Sequence, residues 1–210
     1  PIMCRYIVLA AALTLASQGE LVERDLFGQV ISPEVHADRT VTFRLAAPQA
    51  GQVLLQGLAG LDPQSLVKDS EGVWEVTLGP LPPELYSYKF SVDGAELHDP
   101  HNRHVKKWLT VESLVEVPGD PPLLHEQQRV PHGVVHRHIY ESQTTQCERG
   151  VYVYTPPGYR ADSADRYPLL VLLHGYGDDE SAWLEVGRAH WIADNLIAQD
   201  RLLPLVIALP

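Results

Sequence analysis

Two hydrophobic rhythms divide this chain. Between residues 29 and 117 apolar and polar positions alternate in short runs, whereas further on the runs become continuous or helical. Residues 41–45 (V-T-F-R-L), 73–78 (V-W-E-V-T-L) and 86–92 (Y-S-Y-K-F-S-V) alternate. Successive side chains of a strand point to opposite faces, so each run predicts a strand with one face in a core. Residues 53–55 add a short strand. Asp69-Ser70-Glu71-Gly72, Pro80-Leu81-Pro82-Pro83 and Asp93-Gly94 are the turns between them. Short strands at this spacing predict a β-sandwich of about 100 residues.

The segment Val117-Pro118-Gly119-Asp120-Pro121-Pro122 reads as a stiff, exposed linker. After it, residues 134–140 and 151–154 predict the first strands of a new sheet, and residues 155–159 (T-P-P-G-Y) a turn. Residues 169–173 are continuously apolar, as a strand buried on both faces should be. Ala189, Ile192, Ala193, Leu196 and Ile197 fall at helical spacing, and residues 205–209 form another apolar strand. Strand, helix, strand predicts a parallel crossover. Stopping there leaves an open edge and an uncovered apolar face, so the parallel sheet is expected to be incomplete.

Composition narrows the class. With 45% hydrophobic and 20% charged residues the 210-residue chain should be globular. A formal net charge of -11 argues against nucleic acid or an anionic membrane as the main partner. Arg5, the apolar run 7–16 and the small pair Ala16-Ser17 have the grammar of a signal peptide, too short to span a bilayer. The expected organisation is therefore a signal peptide over 1–19, a sandwich module over 20–118 and a second domain over 119–210. The mature protein is expected to be secreted or periplasmic, with no membrane attachment after cleavage. Cleavage would remove Cys4 and leave Cys147 alone, so no internal disulfide is expected. The ten histidines show no zinc-ligand spacing, and no metal site is expected.

Several blocks together resemble one family. They are V-I-S-P-E-V-H-A-D-R-T-V-T-F-R-L at 30–45, G-V-W-E-V-T-L-G-P-L at 72–81, Y-S-Y-K-F-S-V-D-G at 86–94 and D-P at 99–100. P-H-G at 131–133, V-Y-V-Y-T-P-P-G-Y at 151–159 and Y-P-L-L-V-L-L-H-G-Y-G at 167–177 follow. In this order they are similar to the putative esterase family that includes feruloyl esterase domains and enterochelin-esterase-like proteins. The resemblance implies an immunoglobulin-like early-set sandwich, related to glycogen-binding modules, followed by the first part of an α/β-hydrolase domain. It implies a serine carboxylic-ester hydrolase acting on feruloyl or acetyl esters of plant polysaccharide or oligosaccharide, on other small esters or on siderophore esters, without cofactor.

Ester hydrolysis builds negative charge on the carbonyl oxygen, and each backbone donor aimed at it is worth roughly 3–4 kcal/mol. The resemblance implies that His174, Gly175, Tyr176 and Gly177 form the oxyanion loop, with the Tyr176 N–H as donor and His174 as a post beneath it. Asp178, Asp179 and Glu180 are expected to cap the helix that follows. Trp183 has two readings, as lining for an aromatic-acid pocket or as loop packing. Ser181, His190 and Asp194 have triad chemistry but lie along one helix and its entry, where they cannot converge on a carbonyl. No serine occupies a G-x-S-x-G context, so the triad is expected beyond Pro210 and residues 1–210 alone are expected to be inactive. Trp74, Tyr86 and Tyr88 could serve as sugar platforms, but their alternating strands favour core packing. Lys89 matches the glycogen-binding relatives. Ala95-Glu96-Leu97 stands where those relatives carry a tryptophan, which argues against α-glucan binding. The sandwich is instead expected to shape the rim of the ester site. A non-catalytic carbohydrate-binding protein is the alternative from another class.

Overall fold

The computed structural model describes residues 30–58 and 60–210. The expected signal peptide and Cys4 lie outside those residues.

The alternating runs form two antiparallel sheets on one shared core. The strands in chain order are β1 (Glu34–Val35), β2 (Val41–Ala46), β3 (Val53–Gln56), β4 (Gln64–Ser65), β5 (Val67–Lys68) and β6 (Val73–Leu78). β7 (Glu84–Val92), β8 (Ala95–Leu97), β9 (Val105–Lys107) and β10 (Val111–Val117) follow. One sheet has the order β1-β2-β6-β5, and the other β4-β3-β7-β10-β9 with β8 beside β7. Val41, Phe43, Leu45 and Trp74 from the first sheet meet Val53, Leu55, Tyr88, Phe90, Val115 and Val117 from the second. Phe43 and Tyr88 bridge the layers edge to face, with ring centroids 4.8 Å apart. Trp74, Tyr86 and Tyr88 are buried, and their polar atoms bond inward to the Ala47 carbonyl, the Pro82 carbonyl and Asp99. No platform for a sugar ring remains at these positions.

Alternation understates the burial of β2. Thr42 and Arg44, on its polar face, are buried as well as Phe43 and Leu45. Arg44 is satisfied there by ion pairs to Glu34 (2.6 Å) and Glu75, and Thr42 by Thr77 and His36. A buried charge is tolerated only when so paired.

The second module contains β11 (Val134–Ser142), β12 (Cys147–Thr155), β13 (Leu169–Val171), helices α1 (Ala182–Glu185) and α2 (Ala189–Ala198), and β14 (Val206–Leu209). Its sheet order is β11-β12-β14-β13. β13 and β14 run parallel, as the crossover predicts, with Leu170 opposite Ile207. The remaining pairs are antiparallel, so the sheet is mixed and not parallel throughout. The core joins Tyr154, Ile207 and Leu209 to Ala193 and Ile197 of α2.

Burial of residues 169–173 on both faces is not observed. Leu169, Leu170 and Val171 are 63%, 41% and 51% exposed. β13 pairs with β14 alone, and α2 packs over the inner strands. The single predicted helix is two, separated by Gly187 and by Arg188 in a left-handed conformation (φ 50°).

Within the expected linker Pro118, Asp120, Pro121 and Pro122 are exposed, but Val117 is buried as the last residue of β10, and residues just beyond Pro122 are held. The buried Asn195 side chain of α2 donates to the carbonyls of Leu124 and Glu126, both at 2.8 Å. The Glu126 carboxylate accepts from the Gly119 N–H at 2.7 Å. Arg188 also pairs with Glu116 of β10 at 3.8 Å, so the second module grips the end of the first.

Candidate active site

A cleft of about 350 Å³ opens where β13 and β14 end, lined by Arg137, Arg149, His174, Asp178, Asp179 and Pro210 among others. Carboxyl ends of parallel strands are where α/β sheets bind ligands. His174, the first residue of the His174–Gly177 loop, and Asp178, just after it, stand in one wall of this space.

Three carbonyls in and beside the loop are held from outside. The Trp183 indole N–H donates to the Leu173 carbonyl at 2.8 Å. The Asp178 N–H donates to the Gly175 carbonyl at 3.2 Å, closing a turn, and His174 Nδ1 lies 2.9 Å from the same oxygen. The Trp108 indole N–H, from the β9–β10 hairpin of the first module, donates to the Tyr176 carbonyl at 2.8 Å. In a trans peptide the C=O and N–H point in opposite directions. Pinning the Gly175 and Tyr176 carbonyls therefore aims the Tyr176 and Gly177 N–H groups away from those partners. Neither N–H is hydrogen-bonded to another described residue. The loop thus presents two adjacent, oriented donors.

Gly177 is required for this shape. Its φ is 83°, and a Cβ there would lie 2.7 Å from Trp108 Nε1 and 2.8 Å from Leu109 Cγ. We expect Gly177→Ala to push the hairpin off the loop and to cost about 1–3 kcal/mol, combining left-handed strain with overlap. Urea unfolding measures it, and a loss below about 0.5 kcal/mol would contradict this account of the contact.

The sequence-selected residues separate into distinct roles. Tyr176 is 89% exposed, with its ring in solvent. Trp183 is held by its indole bond and packs on Gly187 while keeping 38% of its surface exposed. Asp179 accepts from the N–H and hydroxyl of Ser181 at the start of α1, the short helix and not α2. Burial opposes ionisation of Asp179, but the Ser181 bonds win and hold its carboxyl below the ordinary value. Glu180 reaches Arg137 at 3.5 Å. Ser181, His190 and Asp194 do not form a hydrogen-bonded chain among the described residues; each has other neighbours.

Asp194 has a different purpose. It is 2% exposed and accepts from the Tyr154 hydroxyl (2.6 Å) and the Gly133 N–H (2.9 Å), with His132 Nδ1 at 2.9 Å. It locks the P-H-G segment and β12 onto α2. Sequence reading missed this clamp and the Trp108 contact. The nearest signals were P-H-G itself and a tryptophan in the polar hairpin K-K-W-L-T.

The fold and loop define an α/β-hydrolase-like sheet with a His-Gly turn just past the carboxyl end of β13. Residues 142–209 match the sequence model of the family described as "Putative esterase", so the resemblance read from the motifs holds. The chain is 32% identical over 183 residues to an endo-1,4-beta-xylanase/feruloyl esterase of Xylanibacter ruminicola, covering 84% of this chain and 25% of that protein. It spans a quarter of that relative's length. Among solved structures, the enterobactin esterase of Shigella flexneri superposes with a TM-score of 0.52 at 20% identity, over 81% of this chain and 50% of that one. A ferulic acid esterase from Anaeromyces mucronatus aligns at 32% identity over 40% of this chain and 31% of that one, with a TM-score of 0.36.

Proposed function

We propose that this chain is the front part of a secreted or periplasmic serine carboxylic-ester hydrolase acting on carbohydrate-linked esters, feruloyl or acetyl. The observation that carries the reading is the pair of oriented, unpartnered N–H groups at Tyr176 and Gly177, in a loop whose flanking residues His174 and Asp178 line a cleft at the strand ends. Such donors stabilise an oxyanion when they are fixed before the charge develops. The amino-terminal sandwich is read as an immunoglobulin-like early-set module that shapes the rim of the site. In this reading the nucleophile lies outside residues 1–210, because none of their serines stands in a G-x-S-x-G context.

The test compares two proteins. One is the 210-residue chain, and the other is the product of the same reading frame continued to its stop codon. We expect the longer protein to hydrolyse methyl ferulate or an aryl acetate and to be inactivated by a serine-directed phosphonate, while the 210-residue chain turns over neither. Hydrolysis by the 210-residue chain, or no ester turnover by the longer one, would overturn the reading. Stable glycan binding without ester turnover would favour a carbohydrate-binding protein.

A further inference from the structure

The contact between the modules at Trp108 is unusual in what it touches. β9 and β10 form a hairpin in which Lys107 faces Val111, and the Trp108 N–H bonds the Thr110 carbonyl at 2.9 Å. The tip therefore holds Trp108 and Leu109 outward, 43% and 63% exposed. The Lys106 ammonium lies 5.0 Å from the Trp108 ring centroid and steadies the indole from the hairpin side. From this position the indole reaches across 68 residues of sequence to one carbonyl, that of Tyr176.

That carbonyl is the one whose orientation is least secured by the loop itself. The Leu173 and Gly175 carbonyls are held by groups of the second module, Trp183 and the Asp178 N–H with His174. The Tyr176–Gly177 peptide is followed by a glycine at φ 83°, which has the freedom to let the peptide plane rotate. Trp108 is its external anchor. Rotation of this plane would turn the Gly177 N–H out of the direction that the Trp108 bond sets.

We propose that Trp108 is a positioning residue for the oxyanion loop: the amino-terminal module, through one indole N–H, fixes the Tyr176–Gly177 peptide plane and with it the Gly177 donor. The proposal rests on reading residues 174–177 as the oxyanion loop. It gives the sandwich a part in the chemistry that is separate from any grip on polysaccharide. Trp108 touches no reacting atom, and it acts through the peptide it holds.

Two measurements test it. In the 210-residue chain, the assigned Trp108 indole proton should exchange with solvent at least ten-fold more slowly than a free indole, despite its surface position. Trp108→Phe keeps an aromatic ring and removes the donor; it should shift the Gly177 and Tyr176 amide resonances while leaving those of the sandwich core in place. In the longer protein, the same substitution should lower kcat on an aryl ester about 10- to 100-fold with KM within two-fold, since a misaimed donor weakens transition-state binding and not substrate binding. Free exchange of the indole proton, unmoved loop amides, or a change in KM with kcat intact would overturn the proposal. A longer wild-type protein without ester turnover would sink the hydrolase reading instead, and the exchange and amide shifts would still decide whether Trp108 holds the loop.

Discussion

Asp194→Ala should destabilise the second module by about 3–5 kcal/mol, the cost typical of removing the charged partner from a buried polar cluster. The carboxylate accepts from Tyr154 and Gly133 and lies in bonding range of His132, all while 2% exposed. Tyr154 is 1% exposed, and burial, reinforced by the bond to Asp194, drives its hydroxyl far above the ordinary phenol range. Alanine would leave that hydroxyl and the Gly133 N–H without partners, at about 1–3 kcal/mol each. The segment is packed closely here, since even a Cβ added at Gly133 would overlap the Thr155 carbonyl and the Tyr154 ring. Tyr154→Phe removes one donor, but Asp194 Oδ1 still accepts from the Gly133 N–H, so it should cost only about 1 kcal/mol. The two substitutions share one interaction, so the double variant should fall short of their sum. Urea unfolding of the four proteins is the measurement. An Asp194→Ala loss under about 1 kcal/mol, or strict additivity, would reject the clamp.

The strands of the first module were readable where period and turn chemistry agree. β6 occupies the predicted residues 73–78, and Asp93 and Gly94 both adopt positive φ (49° and 90°), as a tight hairpin needs. β9 and β10 were not singled out, because K-K-W-L-T-V puts a tryptophan and a leucine at the exposed tip, where alternation predicts neither. The tip's purpose lies in another part of the chain, which local spacing does not encode.

The helix shows a similar limit. Its apolar positions at 192, 193, 196 and 197 located α2, yet among its most buried residues are Asp194 and Asn195. A carboxylate and an amide read as polar-face residues until their partners are known, and those partners lie 40 to 71 residues away. The run at 169–173 failed in the opposite direction. Its apolar composition states what the strand could bury, while its observed exposure reflects pairing on one side only. Of the candidate site, the His-Gly loop was legible as a motif, but the indole bonds that orient it were not.

His190 should make this module acid-labile. Burial is the first cause that lowers its imidazole from 6.5 to about 4, and Arg188 and His132 push the same way while Asp194 opposes them. Its ring stands 4.9 Å from that of Trp191, and the buried Nδ1 has no hydrogen-bond partner among the described residues. The sign follows from proton uptake. Between about 4 and 6.5 the unfolded chain binds the proton and the folded chain resists it. The stability from keeping His190 neutral is therefore complete above pH 6.5 and lost as the pH falls toward 4. A full shift of this size would be worth about 3 kcal/mol, which partial exposure of the ring reduces to about 1–2 kcal/mol. His190→Phe keeps a flat ring and removes the titration. Urea unfolding at pH 7 and pH 4.5 should show the wild type losing about 1–2 kcal/mol more than the variant across that interval. Carboxylates also titrate near the lower pH, but they do so in both proteins, so the difference isolates the imidazole. Equal losses in the two proteins would mean that His190 is solvated well enough to charge at its ordinary pH.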